Sequence, residues 1–229
     1  MTAALAYKEF RETVPIAVLA LAAFLFYALT SMGYAPLPNV FGSFAFARPG
    51  QGIIPFLGDP LIDQFKNVAF CLALALGFSQ SLRDFWGDGQ LFLLHRPVSR
   101  KHVYSVKLAV GLATYLICSL VPIVLYAAWA ATPGTHASPF EWSMTRDVWT
   151  MWLGMTAIYL GAFLSGIRPG AWVGTRLMPL AAAGLTGFIA SYFIEAWTGA
   201  TWGSTLYLML ANVVLVYAIF RVVETRDFV

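Results

Sequence analysis

The stretch LAVGLATYLICSLVPIVLYAAWAATPGT, residues 108–135, contains no charged side chain. A helix needs about 20 mostly apolar residues to cross the hydrocarbon core of a bilayer, so this stretch is long enough to cross once. Further charge-free stretches follow the same pattern and occupy residues 13–47, 67–82, 148–167, 177–194 and 196–220. The pattern predicts an all-α, polytopic membrane protein with six transmembrane helices.

Composition supports this class over a soluble domain. Hydrophobic residues make up 59% of the 229 residues and charged residues only 11%, against about 25% charged in soluble domains. The apolar runs are continuous, whereas a transmembrane β-barrel would alternate apolar and polar residues. We predict one transmembrane domain over residues 1–229, with spans at 14–32, 62–80, 103–130, 148–165, 177–196 and 202–222.

The basic residues predict the orientation. If the amino terminus lies inside, eleven of the fourteen Lys and Arg residues fall on the inner side, and only Arg48, Lys66 and Arg146 fall outside. Inner loops of membrane proteins are enriched in Lys and Arg. The sequence therefore predicts a multi-pass protein of the cell membrane with both termini cytoplasmic. The net charge of +3 is explained by this topology, and no nucleic-acid partner is expected.

Two segments on the inner side are amphipathic. Residues 4–13 can place Leu5, Tyr7 and Phe10 on one face, which is typical of a short helix in the headgroup region; an ordinary polar tail is the alternative. Residues 81–102 form the longest inner loop. Pro97 interrupts its helical pattern, and Ser99 is placed to cap the next helix. Such a loop could contact a cytoplasmic partner or lie on the lipid surface.

Three spans carry small residues at every fourth position. Such stripes let helix backbones approach closely in lipid, and the partner helix could belong to this chain or to another. The stripes are Ala69, Ala73, Gly77 and Ser81; Ala157, Gly161 and Ser165; and Ala183, Gly187 and Ser191.

The sequence GDGQLFLLHRPVSRKHVYSVKL at 87–108 resembles the signature of ABC transporter permeases of the type-2 exporter class. The segment KEFRE at 8–12 resembles the amino-terminal elbow helix of that family. Six spans with both ends inside also match the family layout. Gly87-Asp88 stands where Gly-Thr is usual, and the long outer loop follows the first span, whereas the family usually elaborates the last outer loop.

The resemblance implies a transmembrane permease subunit of an ATP-driven exporter. It implies a second permease subunit, identical or related, and a separate ATP-binding cassette subunit that holds ATP and Mg. It also implies a cytoplasmic coupling helix over residues 84–94. The residues expected to contact the ATPase are Asp84, Phe85, Trp86, Asp88, Leu91, Phe92, Leu93 and Arg96. Arg100, Lys101 and Lys107 are expected to anchor the following helix at the inner headgroups.

The motifs of several other functions are missing from the sequence. No Gly-x-x-x-x-Gly-Lys-Ser/Thr loop is present, so ATP would bind to another chain. His95, His102 and His136 lie in loops, which disfavours a transmembrane haem, and no cofactor or metal is expected in this chain. Cys71 and Cys118 are expected to be buried thiols. The alternative function is a membrane-embedded enzyme, or a structural subunit of a larger complex without its own transport path. The substrate is left open.

Overall fold

The structure is a computed structural model that describes residues 2–34, 54–57, 60–86, 99–135, 139–168, 172–196 and 201–225. Within these ranges the regular structure is helical. Six α-helices follow one another along the chain: α1 Thr2–Ser31, α2 Pro60–Trp86, α3 Arg100–Ala131, α4 Arg146–Ile167, α5 Val173–Ala196 and α6 Thr201–Thr225. Each is long and apolar enough to cross a membrane. The chain is thus an all-helical, multi-pass membrane protein, as predicted.

The helices extend beyond several of the predicted spans. Helix α1 begins at Thr2, not at residue 14, and continues through Pro15 without a break. Residues 4–13, expected to form a separate headgroup helix, are therefore the first turns of α1. Tyr7 and Phe10 of this segment are exposed, but Glu9 is 1% exposed. The segment lies against the protein because Glu9 forms an ion pair with another helix, which hydrophobic periodicity does not predict.

Helix α4 is the centre of the bundle. It packs against α2, α5 and α6, and residues 156–167 are buried on every side. Small residues make this possible. Gly161 lies so close to α5 that an added Cβ would be 2.6 Å from the Cβ of Ala183. Helix α1 packs against α3 and α2. Gly161 of the α4 stripe and Ala183 of the α5 stripe therefore contact each other within one chain.

Local features confirm one prediction and correct another. Ser99 is the N-cap of α3, and its hydroxyl accepts a hydrogen bond from the backbone N–H of His102 at 3.4 Å. Cys118 is buried, as expected, but Cys71 is exposed on the outer face of α2. An exposed position in a charge-free stretch faces lipid, where a thiol is as acceptable as a buried one.

Part of the first long loop is described, and it folds back onto α3. Phe56 is 3% exposed and packs edge-on against Tyr126, with ring centroids 5.0 Å apart. Its φ of 67° lies in the left-handed region, which non-glycine residues rarely adopt. The aromatic contact holds this strained backbone in place. Residues 35–53, 58 and 59 of this loop lie outside the described residues.

Candidate functional site at the basic end of the bundle

One end of the bundle collects most of the described charges, and we call it the basic end. It is formed by the first turns of α1, α3 and α5 and by the last turns of α2, α4 and α6. Trp86, the last residue of α2, and Ser99, the N-cap of α3, both lie at this end and flank the segment predicted to contact an ATPase.

An ion pair between α1 and α3 is buried at this end. The ammonium of Lys107 lies 3.4 Å from a carboxylate oxygen of Glu9, and each side chain is only 2% exposed. Two charges removed from water stabilise a fold only when each has its partner, because an unpaired buried charge is strongly unfavourable. The pair therefore fixes the position of the first turns of α1 against α3.

Gln80 of α2 connects this pair to the central helix. Its amide nitrogen donates to the backbone carbonyl of Lys107 at 3.2 Å, and its amide oxygen accepts a hydrogen bond from the hydroxyl of Tyr159 at 2.8 Å. Tyr159 is fully buried in α4. Gly111 of α3 makes room for this contact, because a Cβ there would clash with the Gln80 oxygen and the Tyr159 hydroxyl. Four helices thus meet in one polar cluster of Glu9, Gln80, Lys107 and Tyr159.

Exposed ion pairs surround the cluster. Arg83, three residues beyond Gln80 in α2, lies 3.1 Å from the carboxylate of Glu12 in α1. Lys101 of α3 lies 2.6 Å from Glu224 of α6. Exposed pairs contribute little stability, about 0–1 kcal/mol each. Their importance here is that they connect both helices flanking the predicted coupling segment to further helices of the bundle.

The last link joins α4 to α5. Arg176 of α5 donates from its guanidinium to the backbone carbonyls of Ser165 at 3.3 Å and Gly166 at 3.0 Å. These carbonyls belong to the last turn of α4, where no following turn supplies backbone N–H donors. The Ser165 hydroxyl in turn accepts a hydrogen bond from the backbone N–H of Leu180 at 3.1 Å. All six helices are therefore connected at the basic end.

The predicted contact residues fall into two groups. Asp84, Phe85 and Trp86 are the last residues of α2, so α2 runs directly into the predicted coupling segment. Asp88, Leu91, Phe92, Leu93 and Arg96 lie outside the described residues, and the predicted coupling helix over 84–94 stays a prediction.

The predicted anchoring residues also divide. Arg100 and Lys101 open α3 and are exposed, as a headgroup anchor requires. Lys107 is buried against Glu9, so its ammonium faces a carboxylate and cannot reach a headgroup. The expectation for Lys107 is corrected accordingly. It lies two turns into α3, where the neighbouring α1 covers it.

Glu9, Gln80 and Tyr159 were not identified from the sequence as members of a site. In the sequence Glu9 is one of four charges in the segment KEFRE at 8–12, and Gln80 and Tyr159 are polar residues of apolar spans. One signal was available: Lys107 lies within the first two turns of a long apolar helix, and a lysine at such depth calls for a carboxylate partner.

No group of three or more His, Cys, Asp or Glu side chains that could hold a metal ion occurs in the described ranges. Comparison with protein-family models, with curated proteins and with solved structures finds no match for this chain.

Proposed function

We propose that this chain is the transmembrane permease subunit of an ATP-driven exporter. It lies in the cell membrane with both termini cytoplasmic, pairs with a second, identical or related permease, and is driven by a separate ATPase subunit that binds ATP and Mg. The proposal joins the sequence resemblance at 87–108 to the arrangement of the basic end. The resemblance supplies the class, and the contacts supply a route by which force could reach the spans.

The single observation that carries the proposal is the connection of both flanks of the predicted coupling segment to one buried cluster. On the α2 side, Arg83 contacts Glu12 and Gln80 contacts Lys107 and Tyr159. On the α3 side, Lys101 contacts Glu224 and Lys107 contacts Glu9. A surface loop that only covers the membrane does not require such connections. A segment that transmits movement requires them on both sides.

The mechanism follows from the stiffness of these links. A movement of the predicted coupling helix over residues 84–94, imposed by an ATPase, would displace the end of α2 and the start of α3 together. Gln80 would pass that displacement to Tyr159 in α4, and Lys107 would pass it to Glu9 in α1. Packed helices with paired charges adopt discrete arrangements and resist gradual deformation. The bundle would therefore alternate between two packings, as transport requires.

A co-purification experiment tests the proposal. The full chain is tagged and purified from its native membrane, and the copurifying proteins are identified by mass spectrometry. We expect a protein with a phosphate-binding loop, and we expect its recovery to fall at least about tenfold with Phe85→Ala/Phe92→Ala. Truncation of aromatic anchors in a small interface costs about 2 kcal/mol or more at a hot spot, which corresponds to more than tenfold in affinity.

The matched control is Tyr7→Ala/Phe10→Ala. These two aromatic side chains are exposed on α1 at the same basic end, 69% and 54% respectively. If Phe85 and Phe92 only touch lipid headgroups, both double variants will keep the partner equally well, and the coupling role of the segment is refuted. Size-exclusion profiles of the variant permeases separate a lost partner from a misfolded chain.

A further inference from the structure

A lateral cleft lies in the half of the bundle away from the basic end. It is bounded by α2, α4, α5 and α6 and has a volume of about 350 Å³. That volume falls within the range of small-molecule sites, about 300–1,000 Å³. Along α4 the cleft runs from Asp147 to Ile158, about 16 Å at 1.5 Å per residue. Phe70 and Phe188 line its mouth and are both exposed, so the cleft opens sideways towards the lipid.

The interior of the cleft is apolar and its rim is charged. Met151, Met155 and Leu208 line the interior, and unbranched thioether side chains adapt to flexible ligands. Lys66 and Asp147 line the rim, one charge of each sign. Lys66 also pairs with Asp63 at 3.2 Å, but its side chain remains 48% exposed and open to another ligand. The site thus combines an apolar slot with two opposite charges at one end.

A glycine leaves the α5 side of the cleft open. Gly187 lines it, and a Cβ built at this position would meet no atom within 4 Å. A side chain at position 187 would therefore enter open space without a clash. Gly184, one turn earlier in the same helix, also has no atom within 4 Å of a built Cβ but does not line the cleft. The two glycines form a matched pair for testing occupancy.

We propose that this cleft binds a zwitterionic phospholipid with a phosphoethanolamine headgroup. One acyl chain lies in the slot along α4, the phosphate contacts the ammonium of Lys66, and the lipid ammonium contacts the carboxylate of Asp147. The charges on the rim favour a headgroup that carries both a phosphate and an ammonium. An anionic headgroup would place a like charge beside Asp147, and a cationic amphiphile would place a like charge beside Lys66, which keeps its pair with Asp63. The site stands independently of any ATPase partner.

The test is photo-crosslinking of the full chain in vesicles. The probe is a phosphatidylethanolamine with a diazirine in one acyl chain, and adducts are mapped by mass spectrometry. We expect adducts on Met151, Met155 or Leu208, with Gly187→Leu reducing them about tenfold and Gly184→Leu leaving them unchanged. A leucine side chain would overlap the acyl chain in the slot, and the displaced chain would stay in hydrocarbon, so the loss of adducts would reflect steric exclusion. Competition by unlabelled phosphatidylethanolamine should exceed that by phosphatidylglycerol.

Several outcomes would overturn the proposal. Adducts spread over all exposed apolar faces and insensitive to Gly187→Leu would mean annular lipid alone. Equal competition by phosphatidylglycerol, unchanged in Lys66→Gln and Asp147→Asn, would remove the headgroup assignment. Stronger competition by a single-chain quaternary ammonium would assign the cleft to cationic amphiphiles. If Gly187→Leu does not fold, Lys66→Gln and Asp147→Asn decide the question through the loss of preference for phosphatidylethanolamine.

Discussion

Two helix contacts in this bundle achieve close approach by opposite means. Helices α2 and α4 meet through small residues: a Cβ at Gly77 would be 2.7 Å from the Cβ of Ala162 and from the backbone oxygen of Tyr159. Helices α1 and α3 meet through the buried charges of Glu9 and Lys107. The first contact depends on shape and tolerates no added volume. The second depends on charge balance and tolerates no unpaired partner. The difference indicates that the centre of the bundle is fixed by packing, while its basic end is fixed by electrostatics.

Removal of one charge from the α1–α3 contact should have the largest effect on stability. We expect Lys107→Met to lower the free energy of unfolding by about 3–5 kcal/mol, because Glu9 is left buried without its cation. Glu9→Leu/Lys107→Met should recover much of this loss. The measurement is SDS-induced unfolding of the purified chain followed by tryptophan fluorescence. The control is Lys101→Met, whose exposed pair with Glu224 should change stability by about 0–1 kcal/mol. Equal stability of Lys107→Met and Lys101→Met would mean that the buried pair does not hold α1.

Added volume at the α2–α4 contact should have an intermediate effect on stability. We expect Gly77→Ala to lower the free energy of unfolding by about 1–3 kcal/mol, because the added methyl group would force α2 away from α4. Gly184→Ala, with no atom within 4 Å of the new Cβ, is the control and should be neutral or slightly stabilising. The same unfolding measurement applies. A Gly77→Ala variant as stable as Gly184→Ala would show that the α2–α4 contact has room that the structure does not indicate.

The hydrogen bond between Tyr159 and Gln80 links the two contacts, and its removal should have the smallest effect on stability. Tyr159→Phe removes the hydroxyl that donates to Gln80 without changing the packing of the ring. We expect a loss of about 0.6–1.5 kcal/mol, the usual range for a hydrogen bond within a membrane protein. Tyr217→Phe on the exposed face of α6 is the control. Lys107→Met keeps the backbone carbonyl that Gln80 contacts, so we expect a similar loss in that background; a much smaller loss would mean that this hydrogen bond depends on the ion pair.

The sequence predicts the small-residue contact of α2 but not the charged contact between α1 and α3. Small residues at every fourth position are a local pattern, so the stripe of Ala69, Ala73, Gly77 and Ser81 could be recognised before its partner helix was known. The pairing of Glu9 with Lys107 joins residues far apart in the chain and depends on how α1 lies against α3. No local pattern records that arrangement. The charge-free stretches predicted all six spans, because the bilayer imposes length and polarity on each helix separately.

The sequence does not predict the lateral cleft, for a related reason. Lys66 and Asp147 lie at the ends of apolar stretches beside the charges of Asp63 and Arg146, where charged side chains commonly extend to the interface. Gly187 was recognised as part of a small-residue stripe, which indicated helix packing. In the structure Gly187 faces open space, whereas Gly161 and Gly77 of the other stripes contact neighbouring helices. A stripe therefore predicts the possibility of close approach, and only the fold decides which of its members are used.

We propose that a separate ATPase, bound at the basic end, drives this chain. ATP hydrolysis by the tagged chain, purified alone and as the native complex from its membrane, tests this proposal. We expect no hydrolysis by the isolated chain, because it lacks a phosphate-binding loop. We expect hydrolysis by the complex, and its loss together with the partner in Phe85→Ala/Phe92→Ala. A native complex that contains no protein with a phosphate-binding loop, or hydrolysis by the isolated chain, would refute the proposal.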